Sequence, residues 1–265
     1  MKLLKFGFYS FAFTGLLVGL NQTSALAFTL DLFTDANDTF PSTTIPYQTV
    51  EANPIFGGTV SASDTDTGLS DVAWGQRRLD LTSTAGITTI GDSNIKVFGS
   101  PATSASVNSE SGTTIDSAMF TWGFDTNTDY EDITDNGADN TFGLDIVNID
   151  LNGADIVFSV TDNNNDRGSV TVENITSTGS ISFPYNDILT DNPDVTLGNI
   201  KKIEMEIVNV PTDFDVTFDL IESRYDADFP NVPVPFEFSP SLGLLLCSGV
   251  FGFKRIKKRL ATSKA

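Results

Sequence analysis

From Phe28 onward the chain places apolar side chains at every second position in short runs, the pattern of strands with one buried face. The plainest are residues 29–33 (Thr-Leu-Asp-Leu-Phe) and 78–82 (Arg-Leu-Asp-Leu-Thr). The alternation returns at 94–98, 118–124, 143–151, 155–160, 170–175, 181–183, 200–208 and 214–221. No stretch keeps helical apolar spacing for three turns. About ten strands at this spacing predict an all-β fold, an antiparallel β-sandwich of jelly-roll-like form over residues 28–225. Turn pairs punctuate them: Gly57-Gly58, Asn136-Gly137, Asn152-Gly153 and Thr178-Gly179. Asn152-Gly153 stands between two alternating runs and predicts a hairpin. Residues 36–67, rich in Pro, Ser and Thr, predict irregular structure or loosely paired edge strands. No period of 20–50 residues marks a solenoid or a propeller.

The two ends of the 265-residue chain break this pattern. Residues 1–27 read as a signal peptide: Lys2 and Lys5, an apolar core from Phe6 to Leu20, then Ala25-Leu26-Ala27, the small-x-small pattern of a cleavage site. The mature chain then begins near Phe28. Residues 226–234 read as a linker. Residues 235–265 hold Pro235-Phe236-Glu237, a single apolar run read as a transmembrane helix, and a basic tail of Lys254, Arg255, Lys257, Lys258 and Arg259. The prolines around Phe236 hold an extended peptide. The basic cluster keeps the tail cytoplasmic. This order of motif, helix and basic cluster resembles the PEP-CTERM class of sorting signals, with Pro235-Phe236-Glu237 standing as its PFE variant. The resemblance implies recognition and processing by an exosortase-type membrane protease. An ordinary tail anchor is the plainer alternative. Both imply export to the cell envelope, the cell surface or the extracellular space, through an inner-membrane intermediate.

Charge sharpens the picture. Outside the leader and tail only seven basic residues remain, Arg77, Arg78, Lys96, Arg167, Lys201, Lys202 and Arg224, against every acid but Glu237. The displayed domain is thus near −27, which repels nucleic acid and attracts hard cations. The one cysteine, Cys247, lies in the apolar tail, so no disulfide closes within the domain. The chain has no histidine, which excludes Ser-His-Asp and Cys-His catalysis and disfavours zinc and copper.

The sharpest candidate for chemistry is Asp162-Asn163-Asn164-Asn165-Asp166-Arg167-Gly168. Asp162, Asn164 and Asp166 alternate, and Glu173 stands at the twelfth position, as in a calcium loop. Arg167 occupies the position where that loop needs glycine, and both flanks read as strands. The plainer reading is a polar turn whose side chains satisfy its own backbone. A second acidic stretch, Asp125 to Asp145, reads as a solvated loop or as a second cation site. Asp64, Asp66 and Asp71 form a smaller version. Trp74, Trp122, Tyr130 and Tyr185 are either a sugar-stacking platform or core rings. Arg77 and Arg78 are adjacent in a strand and point to opposite faces, one of them toward a carboxylate near the surface. With so many acids, a hydrolytic carboxylate pair has no specific support.

Residues 28–225 are also similar to the secreted β-domains that accompany such sorting tails. Three features carry this: Asp31, Phe33 and Asp35 in an early acidic strand; Trp74 before Gly75, Arg77, Arg78 and Leu79; and Asp215, Asp219, Ile221 and Glu222 in the closing strand. The resemblance implies architecture and no assigned activity. The sequence therefore predicts a non-enzymatic, surface-displayed sandwich with a structural or adhesive role. Its alternative is a calcium-dependent carbohydrate-binding module contacting extracellular polysaccharide.

Overall fold

A computed structural model describes residues 28–33, 48–69, 72–98, 103–110, 112–124, 129–150 and 153–228. The leader with Ala25 and Ala27, the motif Pro235-Phe236-Glu237, the apolar run and the basic tail lie outside the described residues. No helix among the described residues is long and apolar enough to cross a membrane.

The domain is an antiparallel β-sandwich. One sheet runs β11 (Gly179–Pro184), β8 (Thr141–Ile149), β13 (Asp215–Arg224), β6 (Ser104–Ser109), β5 (Ser93–Phe98) and β2 (Gln48–Ala52), with β1 (Thr29–Asp31) paired onto β13. The other runs β10 (Arg167–Ile175), β9 (Ala154–Asp162), β12 (Ile200–Val208), β7 (Thr113–Trp122), β4 (Gln76–Ala85) and β3 (Thr59–Thr67). One short helix, α1 (Tyr185–Asp191), follows β11.

Alternation decides which side chains meet between the sheets. In β4, Arg77, Leu79, Leu81, Ser83 and Ala85 are buried, while Arg78 is exposed and Asp80, Thr82 and Thr84 are half-buried on the outer face. Aromatic rings join the two layers. Phe218 of β13 meets Phe120 of β7 edge-on at 5.2 Å, and Phe142 of β8 meets Phe158 of β9 at 4.5 Å. Each fully buried phenylalanine contributes about 1.5–3 kcal/mol of transfer free energy.

The strands expected from the pattern are present, with three more. β2 and β3 fall in the segment read as irregular or edge-forming, and each is the edge of its sheet. β3 pairs along its whole length with β4. Two of its residues whose partners face the core, Asp64 and Asp66, are acids, a device that discourages edge-to-edge association. β6 (Ser-Ala-Ser-Val-Asn-Ser) lies inside its sheet, between β13 and β5.

One turn reading is corrected. Asn152-Gly153 does not close a hairpin, because β8 and β9 belong to different sheets. Gly153, at φ +115°, turns the chain across the sandwich. Most connections cross in this way. The consecutive pairs that do bond directly are β3–β4, β5–β6 and β9–β10.

Candidate functional site

One end of the sandwich gathers most of the residues singled out by sequence. There β4, β10 and β12 begin, β7 and β9 end, and β1 crosses toward the opposite sheet.

Its centre is buried and ionic. Asp31 of β1 and Arg77 of β4 are both fully buried, with Nη1 to Oδ2 at 2.7 Å. Trp122 of β7 donates its indole N–H to the same oxygen at 2.9 Å, and the Phe33 backbone N–H donates to Oδ1 at 2.8 Å. Arg77 also donates through Nε to Gln48 of β2 at 3.0 Å, and its guanidinium lies 5.7 Å from the Phe33 ring centre. Burial pushes the Asp31 carboxyl up, against the opposing pull of Arg77, Trp122 and the Phe33 amide. Arg78 takes the surface role expected of one member of the pair: it bonds Asp80 at 2.6 Å, half-exposed.

Above this centre stands Trp74, in a single 3-10 turn (Ala73–Gly75) between β3 and β4. Its φ is +56°, a left-handed conformation uncommon for a bulky residue. The indole N–H donates to the Asp129 carbonyl at 3.1 Å, and the Phe28 ring meets the indole edge-on at 6.1 Å. A side chain at Gly123, the residue after β7, would come within 3.1 Å of the indole and would collide with the Lys201 carbonyl. Glycine there is what lets the β7–β8 loop and β12 close around the ring. Tyr130, next in sequence to the carbonyl that holds Trp74, is 45% exposed. Glu131 beside it bridges to Ile200, and burial, then the Asp129 charge, raise its carboxyl.

The four aromatic residues considered as a stacking platform are thus split. Trp122 and Tyr185 are core rings, Tyr185 donating its hydroxyl to the Ile133 carbonyl at 2.7 Å. Trp74 is half-buried against the edge of the core, and Tyr130 is exposed.

Asp162, Asn164 and Asp166 occupy the tight β9–β10 hairpin at this same end. Asp162 is fully buried. Its Oδ1 accepts the backbone N–H groups of Asn164 at 2.8 Å and Asp166 at 3.0 Å, and its Oδ2 accepts that of Thr196 at 3.0 Å. Asn165, at φ +72°, supplies the left-handed residue the turn needs, and Lys201 donates to its side-chain oxygen. Glu173 is not brought to this loop. It lies exposed six positions beyond Arg167 along β10, about 20 Å away at 3.3 Å per residue. In the second acidic stretch, Asp132 likewise caps its own turn, accepting from the Thr134 backbone N–H and hydroxyl and from the Asn136 backbone N–H. Among the described residues no three acidic or thiol side chains converge as a metal set.

Sequence reasoning missed the Asp31–Arg77–Trp122 network as a unit. Its parts were each noticed, but they stand 46 and 91 residues apart and no local pattern joins them.

No family profile matches this chain, and no curated protein is similar to it. Among solved structures, the family 11 carbohydrate-binding module of the cellulosomal cellulase Lic26A-Cel5E of Clostridium thermocellum is similar at 10% identity. That match covers 76% of this chain and 97% of the module, at a TM-score of 0.34. The family 30 module of the cellulosomal cellulase Cel9D-Cel44B of the same organism is similar at 14% identity over 55% of this chain and 91% of the module, at a TM-score of 0.34. An exo-beta-agarase is similar at 12% identity over 77% of this chain, which spans 26% of the agarase, at a TM-score of 0.40. Identities this low and TM-scores below 0.5 leave the reading of this chain to its own residues.

Proposed function

We propose that this chain is an exported, non-catalytic sandwich that binds polysaccharide at the Trp74 end. The observation that carries this is Trp74 itself. A bulky aromatic residue held at φ +56° costs about 1–3 kcal/mol, and such outliers concentrate at sites of function. The strain sets the indole, half-buried against the core, at the end of the sandwich, and the exposed Tyr130 follows the residue whose carbonyl holds it. Ring faces flanked by amide and carboxyl groups suit the apolar face and hydroxyl rim of a sugar. Two of the similar solved structures are carbohydrate-binding modules, and this reading assigns the same class of ligand here on Trp74 and Tyr130. The tail places the domain where such a ligand is found: an exosortase-type protease would process it at Pro235-Phe236-Glu237, and the acidic coat would keep the displayed domain hydrated.

Affinity electrophoresis of the mature chain through gels holding soluble β-glucan, xylan or agarose tests this directly. Retardation by at least one polysaccharide is expected, lost on Trp74→Ala and weakened on Tyr130→Ala, with a cooperative thermal melt kept in both variants. Equal migration of all three proteins in every gel would reject the reading. Repeating the run in chelator tests the calcium arm, with Asp162→Ala and Asp166→Ala as its variants. Retardation that persists in chelator leaves sugar binding independent of that loop.

A further inference from the structure

The same end holds a second, separate feature. The Phe28 backbone N–H donates to Ser223 Oγ at 2.8 Å, and the Phe28 carbonyl accepts the Ser223 N–H at 2.7 Å. Ser223, fully buried in β13, donates its hydroxyl to Asp139 Oδ2 at 2.7 Å. One hydroxyl therefore stands between the Phe28 nitrogen and the Asp139 carboxylate.

Asp139 is itself 8% exposed. Among the described residues no basic side chain pairs with it: Arg77, Arg78, Arg167, Lys202 and Arg224 pair with other acids, Lys96 acts on Asp92 and Lys201 bonds Asn165. The titratable groups around it are Asp132, Asp135, Glu222 and the Tyr185 phenol, all acids. Burial raises its carboxyl, the Ser223 bond pulls it back, and Asp135 and Asp132 push it up again. A nearly buried carboxylate among like charges is costly unless a cation reaches it. The site is short of one positive charge, and the Phe28 nitrogen shares the Ser223 hydroxyl with it.

The small-x-small pattern ends at Ala27, so export would supply that charge. Hydrolysis adds water across the Ala27–Phe28 bond. The leader departs with the new carboxylate, and the Phe28 nitrogen becomes an ammonium group at neutral pH. We propose that Ser223 and Asp139 form the receptor for this α-ammonium group, so that leader removal completes the fold. One ammonium hydrogen keeps the bond to Ser223 Oγ, whose own proton stays on the Asp139 side. The charge sits within the roughly 4–6 Å over which an opposite charge holds a carboxylate ionised. β1 is then pinned twice, by its terminal ammonium to Asp139 and by Asp31 to Arg77. The polysaccharide reading plays no part in this; the leader reading does.

The test uses the mature chain Phe28–Ala265 in mild detergent, with its amino group free or acetylated, each with and without Asp139→Asn. Acetylation is expected to lower the melting temperature by at least about 2–4 °C, the shift expected per kcal/mol for a domain of this size. In the Asp139→Asn background the free and acetylated chains should melt together. Equal melting of the free and acetylated wild-type chains overturns the receptor, and so does an acetylation penalty that survives Asp139→Asn. The mass of the amino-terminal peptide of the exported protein checks the leader separately. A start at Phe28 supports the proposal; any other start overturns both the leader boundary and the receptor.

Discussion

The two ends of this sandwich are built on opposite principles. The end that holds Trp74 is closed by directed bonds between distant segments: Asp31 to Arg77 and Trp122, Ser223 to Asp139, Asp162 to three backbone amides. The far end carries an apolar tip in water. Ile55 is 54% exposed, Phe56 63%, Ile87 85% and Ile90 66%, held together by a bridge between Ile55 and Ile90 and a backbone bond from Phe56 to Thr89. Beside that tip, Asp215 is raised by burial and then by Asp150 and Asp213. At the first end the named side chains join distant segments, although Gln48 Nε2 and Thr161 Oγ1 are left without a partner, so substitutions there propagate. At the far end Thr89, Ser109 and Asp150 still bond backbone groups, but the exposed side chains of the tip are free to change.

The largest effect should come from the buried pair. Arg77→Ala leaves the Asp31 charge in the core, a loss of about 3–5 kcal/mol, and should lower the melting temperature by 6 °C or more at roughly 2–4 °C per kcal/mol. Arg78→Ala, one residue away at the surface, should change stability by about 1 kcal/mol or less. Thermal melts of the two variants compare the inner and outer faces of one strand. Similar losses would mean that Asp31 finds water or another donor once Arg77 is gone.

A smaller and more diffuse effect is expected from pH. Burial raises Asp31, Asp92, Asp139, Asp215, Glu131 and Glu222, while hydrogen bonds from Asn174 and Asn209 lower Asp155. A carboxyl raised in the folded state binds more protons folded than unfolded, so stability falls as pH rises through its pKa. Asp155 acts in the opposite sense, losing its contribution as pH falls through its depressed pKa. With six raised carboxyls against one lowered, the melting temperature should climb as pH drops from neutral toward the ordinary carboxylate range near about 4, then fall in stronger acid. At the far end, removing the charge with Asp215→Asn should flatten that climb. An unchanged slope would assign the effect to the other raised carboxyls.

Period-two alternation made most of this fold legible, because each strand has one wet and one dry face. It could not tell which neighbour a strand would choose. Asn152-Gly153 has hairpin chemistry, yet it spans the two sheets, since β8 already has β11 and β13 as partners. β6 escaped notice because its inward residues are Ala105 and Val107, too small to stand out among serines. At the site, alternation placed Arg77 and Arg78 on opposite faces. Only tertiary structure shows that the inward one meets Asp31, which brings together the early acidic strand and the Trp74–Arg77 segment. It also lays β1 along Ile221 and Glu222 of the closing strand. The Asp162 loop was read both as a cation site and as a self-satisfied turn. Its backbone bonds follow the second pattern, and Glu173 lies far along β10 because a strand carries its residues away at full extension.

The smallest effect belongs to the apolar tip, and it gives the sharpest contrast. Ile87 is 85% exposed, so little apolar area leaves water there on folding. Ile87→Ser should shift stability by no more than about 0.5 kcal/mol, the usual range for surface changes away from special features. Phe56→Gly should be tolerated for another reason: Phe56 sits at φ +46°, where glycine carries less backbone strain. Chemical denaturation of both variants against the parent measures the difference. A loss comparable to that of Arg77→Ala would mean that the tip is buried by contact with another molecule, and the two ends would then differ in partner more than in principle.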